Sequence, residues 1–252
     1  MKKTFQAGAG VFGAGSPKIC VPVVAADREN IWKKAEEISL LPADIVEWRA
    51  DFYEDIFTPG AMQETLRGIK ERLKGKALLF TFRTKEEGGS RSVSRDTYHQ
   101  LNESAAFEGA ELVDVEAFLE EERTADKIRR LKEAGCHVIA SSHDFDRTPP
   151  VKEMVRRLLR MEELGADAAK LAVMPVERQD VLELLRATMM ADELLSIPVV
   201  TMSMGKLGTV SRICGSLTGS AMTFASVGEV SAPGQIPLGR MQEALELLAY
   251  EA

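Results

Sequence analysis

The chain has 252 residues, 45% hydrophobic and 28% charged. That balance excludes a disordered chain and allows one large domain or two small ones. Thirty-two Lys and Arg face 39 Asp and Glu, a net charge of −7, so a general basic field for nucleic acid is excluded and an anionic ligand needs local arginines. No apolar stretch approaches the ~18 residues of a membrane span. Met1, Lys2 and Lys3 are followed by Gly- and Gln-containing sequence where a secretory signal needs an apolar core. Three cysteines, Cys20, Cys136 and Cys214, show no C-x-x-C spacing. They read as buried thiols of a cytoplasmic protein rather than a disulfide or zinc framework.

Residues 1–17 are Gly-rich and lie outside the pattern that follows, so they read as a short cap. Within them Gly8, Gly10 and Gly13 match G-x-G-x-x-G. A dinucleotide loop needs a strand before that motif and a helix after it, and neither is expected here. Short apolar runs then recur at Ile19–Val24, Ile45–Trp48, Ala77–Phe82, Glu111–Val115, His137–Ser141, Ala168–Val173, Pro198–Met202 and Ala221–Ser226, giving eight strand candidates. Between them run helical patterns. Met62, Leu66, Ile69 and Leu73 share one face, as do Val151, Met154, Val155, Leu158 and Met161, and later Leu238, Met241, Leu245 and Leu248. Gly75, Gly109, Gly135 and Gly165 each stand between a helical pattern and the next strand, as helix-closing glycines do. Eight such units of ~31 residues fit an α/β fold, the (β/α)8 TIM barrel, as one domain over 1–252. An open doubly wound sheet uses the same alternation.

In a barrel the chemistry sits at the C-terminal ends of the strands, and residues two apart point the same way. Glu47, Arg49 and Asp51 share parity, with Trp48 opposed. Further on come Thr81-Phe82-Arg83 with Glu86 to Gly89, then Asp114 and Glu116, then Ser141-Ser142-His143-Asp144. Lys170 is a lone cation in an apolar run. Burying an ammonium favours its neutral form, and a neutral amine can attack a carbonyl to form a Schiff base. The plainer reading ends the strand there and pairs Lys170 with a carboxylate such as Glu47. His143 is a candidate proton shuttle, and Glu87 a candidate to orient its ring; either could instead be structural or solvated. His99 reads as solvated on a helix, and His137 begins its strand at the far rim. Arg49, Arg83 and Arg212 could grip a carboxylate or form salt bridges in the barrel mouth. Met202 and Met204 read as packing. The Gly-, Ser- and Pro-rich segment 226–237 is an exposed loop or a lid.

Taken in order, Glu47-Trp48-Arg49, Thr81 to Thr84 with Glu87-Gly88-Gly89, Ser142-His143-Asp144-Phe145, Lys170 to Pro175, Thr201 to Gly205 and Ser231 to Gln235 resemble type I 3-dehydroquinate dehydratase, from about Pro17 to Leu238. The resemblance implies a (β/α)8 barrel that dehydrates 3-dehydroquinate to 3-dehydroshikimate in the shikimate pathway. It implies that Lys170 forms the imine, that His143 moves the neighbouring proton and helps expel the hydroxyl, and that Glu87 pairs with His143. Glu47, Arg49, Arg83, Arg212, Ser231 and Gln235 would contact substrate. No metal or organic cofactor, and a homodimer, are further implications. Pro22 stands where some members carry a serine in the first strand.

An imine withdraws electrons better than a ketone, so the adjacent proton becomes acidic enough for an imidazole to act as base and then acid. Three rivals remain at this point. A class I aldolase would use the same lysine but usually binds a phosphate, and Gly215, Gly219 and Gly228 are too scattered for a phosphate loop. A metal-dependent lyase could draw ligands from Glu47, Asp51, Asp114, Glu116 and His143. A non-catalytic barrel would bind a carboxylate without turnover.

Overall fold

The computed structural model describes residues 2–228 and 232–249. The chain opens with a hairpin of β1 (Phe5–Ala7) and β2 (Gly10–Phe12), paired antiparallel. Gly8 turns it at φ +57, and a Cβ there would lie 2.6 Å from the Ala77 backbone nitrogen. The G-x-G-x-x-G residues are therefore hairpin and turn, not a strand-to-helix phosphate loop. Phe12 is fully buried in the barrel interior, and Phe5 stacks on both Phe12, at 4.9 Å, and His137, at 4.2 Å.

Eight parallel strands follow: β3 (Lys18–Val23), β4 (Ile45–Arg49), β5 (Ala77–Thr81), β6 (Leu112–Glu116), β7 (His137–Asp144), β8 (Ala168–Val173), β9 (Val199–Ser203) and β10 (Met222–Ser226). From β3 to β9 each pairs with the next, and β10 pairs with β3. Closure between β9 and β10 is slight: the Ala221 N–H donates to the Val199 carbonyl at 2.8 Å beside an isolated bridge from Val199 to Ser220. The short β11 (Ile236–Pro237) flanks β10.

The helices are α1 (Arg28–Ser39), α2 (Ala61–Arg72), α3 (Arg95–Phe107), α4 (Glu121–Glu133), α5 (Val151–Glu163), α6 (Arg178–Leu194), the single-turn α7 (Gly215–Thr218) and α8 (Leu238–Leu247). The expected faces of α2 and α5 are buried at Met62, Leu66 and Ile69 and at Met154, Val155, Leu158 and Met161. On the last helix Leu238, Met241 and Leu245 are buried, but Leu248 falls past the final turn and is exposed. Gly75, Gly109, Gly135 and Gly165 all take φ between +83 and +93, the left-handed conformation that ends a helix.

Strand alternation sorts the core into two layers. Val46, Trp48, Leu78, Phe80, Val113 and Val115 point outward into the shell under the helices. Ile45, Ala77, Leu79, Leu112, Ile139, Ala168 and Val200 fill the interior with Phe12 below them. Higher on the same inward rows the residues become polar: Glu47 and Arg49, Thr81, Asp114 and Glu116, Ser141 and His143, Lys170. The register holds them at one level, with Glu116 beside Ser141 and Ser141 beside Lys170.

Candidate active site

The polar rows converge on one cavity at the C-terminal mouth. It is lined by Glu47, Arg49, Arg83, Glu87, His143, Lys170, Arg212 and Gln235, with Phe145, Met202, Met204 and Phe224 as apolar walls. All the expected site residues among those described therefore meet in one place. Ser231 lies outside the described residues.

Lys170 is 3% exposed, and its Nζ lies 3.0 Å from Asp114 Oδ2 and 4.8 Å from the centre of the Phe224 ring. The cation that looked solitary in sequence has a partner, and the partner is Asp114 rather than Glu47. Glu47 instead accepts a hydrogen bond from Thr81 Oγ1 at 2.9 Å. Burial alone would push the Asp114 carboxyl up, but the Arg83 guanidinium and the Lys170 ammonium outweigh it and hold Asp114 below the usual carboxylate range.

Arg83 anchors three carboxylates. Nη2 donates to Asp114 Oδ1 at 2.7 Å, and Nη1 reaches Glu116 Oε1 at 3.0 Å, Ser141 Oγ at 3.0 Å and Glu87 Oε2 at 3.4 Å. Glu116 also accepts from the Thr84 N–H and hydroxyl. These bonds leave the Arg83 Nε–H and one Nη2–H for a ligand. Arg49 forms a bidentate pair with the fully buried Asp51, at 2.9 and 3.0 Å. Of the carboxylates named as candidate metal ligands, Asp51, Asp114 and Glu116 are thus paired with cations, while Glu47 accepts from the Thr81 hydroxyl. Among the described residues no group of three or more His, Cys, Asp or Glu gathers as a metal site.

His143 lies within β7, which extends three residues further than its apolar run. Its Nδ1 is 2.9 Å from Glu87 Oε2, and its backbone N–H donates to the same oxygen at 3.2 Å. Burial, reinforced by the positive charges of Arg83 and Lys170, pushes the imidazole well below its ordinary value, so it stands neutral and able to take a proton. Burial pushes Glu87 up to about 8; Arg83 opposes this, while Glu116 and Asp114 add to it. The Phe145 ring stacks on the imidazole at 6.4 Å. Gly88, at φ +82, lies beneath Phe145, where an added Cβ would come within 2.3 Å of the ring.

Arg212 is of a different kind. It is 2% exposed, yet among the described residues no carboxylate pairs with it. Its Nη2 donates to the Pro233 carbonyl at 2.9 Å, and Nε is buried without a partner. Burial pulls the guanidinium down to about 10. A desolvated cation with spare donors facing a cavity is suited to an anionic ligand.

Sequence reading noted Asp114 and Glu116 only as possible metal ligands and missed their pairing with Lys170 and Arg83. Their shared parity on a strand flanking the lysine's neighbour was the available signal. It also placed His99 in solvent. That ring is 4% exposed, with Nε2 3.1 Å from Glu120 Oε2, because α3 packs against the start of α4.

A model of the type I 3-dehydroquinase family matches residues 19–251. The 3-dehydroquinate dehydratase of Syntrophotalea carbinolica is 47% identical over 240 residues, covering 94% of this chain and 95% of its own. The crystal structure of type I 3-dehydroquinate dehydratase from Clostridium difficile, solved with covalently modified comenic acid, superposes with a TM-score of 0.96 at 41% identity over 99% of both chains. That of 3-dehydroquinate dehydratase from Geobacillus kaustophilus gives a TM-score of 0.94 at 38% identity, covering 98% of this chain and 96% of that one.

Proposed function

Because this chain belongs to the type I 3-dehydroquinase family and is a hydro-lyase acting on 3-dehydroquinate, we propose that it works through an imine on Lys170, with His143 as base and then acid. The observation that carries this reading is a buried lysine and a buried neutral histidine facing one cavity, with an unmatched arginine at its rim.

Arg212 grips the substrate carboxylate and sets the ring's orientation, which supplies part of the rate by positioning. Glu47, Arg49, Arg83, Ser231 and Gln235 complete the contacts. Lys170 attacks the ketone, and loss of water leaves an iminium. His143 takes the proton from the adjacent carbon and returns it to the departing hydroxyl, releasing water and 3-dehydroshikimate after imine hydrolysis. Glu87 fixes the imidazole through Nδ1, leaving Nε2 toward the cavity. The barrel interior supports this division of labour, because the apolar rows below hold the polar rows rigid.

We place the reaction in the shikimate pathway of aromatic amino-acid biosynthesis, and the enzyme in the cytoplasm as a homodimer. The chain 1–252 is read as a single domain, with the hairpin segment 1–17 closing the lower end of the barrel. No helix among the described residues is long and apolar enough to cross a membrane. An aldolase is the weaker reading, since Arg212 suits a carboxylate and the other described cations lining the cavity, Arg49, Arg83 and Lys170, are each paired with a carboxylate.

Borohydride reduction in the presence of 3-dehydroquinate, followed by peptide mass mapping, tests the proposal. The adduct is expected on Lys170, and an adduct on another residue overturns the assignment. Growth of the conjugated-enone absorbance separates turnover from mere binding.

A further inference from the structure

The mechanism above leaves the buried Asp114 without a task. Asp114 is 1% exposed and lies beside Lys170, behind the cavity's lining. Its Oδ1 is tied twice, by Arg83 Nη2 at 2.7 Å and by Ser141 Oγ at 2.6 Å. The carboxylate therefore cannot turn, and Oδ2 is held toward Lys170 Nζ at 3.0 Å. On another side of the nitrogen stands the face of the Phe224 ring, 4.8 Å away. Both neighbours favour positive charge at that point.

We propose that Asp114 is the positioning residue for Lys170: it aims the nitrogen at the ketone and then serves as counter-charge to the iminium formed there. This rests on the imine reading above. Imine formation converts R–NH3⁺ and O=C into R–NH⁺=C and H2O. One positive charge is present before and after, on the same nitrogen. The single remaining N–H has Oδ2 as its acceptor, so a carboxylate already matched to the ammonium is matched to the iminium without reorganisation.

Asp114→Asn keeps the volume and an acceptor oxygen and removes the charge. The variant is held with saturating 3-dehydroquinate and quenched with borohydride, and the Lys170 adduct is quantified by mass. In parallel, calorimetry gives the affinity for the alcohol analogue of the substrate, whose reduced ketone cannot form an imine. The adduct is expected to fall at least about 10-fold while the alcohol's affinity stays within about 3-fold, as loss of aim rather than of binding requires. An undiminished adduct, or a parallel loss of both, overturns the proposal. Should Asp114→Asn not fold, Asp114→Glu keeps the charge but displaces it, and the same split is expected, with the same outcomes decisive. Absence of any Lys170 adduct in the unaltered enzyme rejects the imine reading instead.

Discussion

One carboxylate oxygen of Glu87 takes both the ring Nδ1 of His143, at 2.9 Å, and that residue's backbone N–H, at 3.2 Å. The ring is fixed in tilt and in depth by a single atom. Which way the Nδ1 bond runs depends on the proton of Glu87. When protonated, Glu87 donates to Nδ1, and the ring carries its hydrogen on Nε2. When ionised, it accepts from Nδ1–H, and Nε2 keeps a lone pair for the substrate proton.

With Glu87 pushed up to about 8 in the free enzyme, kcat/KM should rise with pH to about 8 and level off beyond it. Glu87→Gln should lose that limb. Stability carries the opposite sign. A carboxyl raised above its unfolded value of ~4.3 favours the fold when protonated, so its contribution is lost as pH climbs from ~4.3 to about 8. Glu87→Gln should flatten that slope as well. A wild-type kcat/KM independent of pH from about 6 to about 9 rejects the link.

Lys170→Ala and His143→Ala should separate the two halves of the chemistry. The first is expected to abolish trapping and nearly all turnover. The second should still trap substrate on Lys170 while turnover falls about 10³-fold, the scale of a lost proton-transfer group. Normal turnover by His143→Ala would remove the histidine from the mechanism.

Arg212→Met should weaken substrate binding about 100-fold, the scale for losing a buried charge-assisted grip. The same change should raise the thermal midpoint by a few degrees, worth about 1 kcal/mol, because it removes a buried cation that no carboxylate among the described residues matches. Calorimetric unfolding and steady-state KM check both arms. A lowered midpoint would mean that the contact with the Pro233 carbonyl outweighs the burial of charge.

Gly88→Ala should cut kcat about 10-fold with trapping intact. The position has φ +82, and its missing Cβ makes room for Phe145 against His143. A left-handed alanine costs about 1 kcal/mol, and displacing the ring frees the imidazole to tilt. Unchanged kcat would show that the Phe145 ring does not hold the base.

Residue parity carried most of this site into view. Alternation on β4 predicted that Glu47 and Arg49 share a face with Trp48 opposed, and the interior and outer shells divide in that way. Parity says which residues point inward but not which of them touch. Asp114 on β6 and Lys170 on β8 are separated by β7, and their meeting depends on barrel curvature. His99 was misplaced for a related reason, since its partner Glu120 begins the next helix and local periodicity does not see it. The Gly-rich start was read only as a cap outside the pattern, and its hairpin was not legible because β1 and β2 are only three residues each.

Phe12, with Phe5 stacked on it, stops the bottom of the barrel. Among the described residues the chamber is filled at that end and opens at the C-terminal mouth. A substrate that enters by that mouth and a product that leaves by it would have to take turns. Under the proposed imine mechanism, the water shed on imine formation would be released inside that closed end, near the later hydrolysis that takes up water.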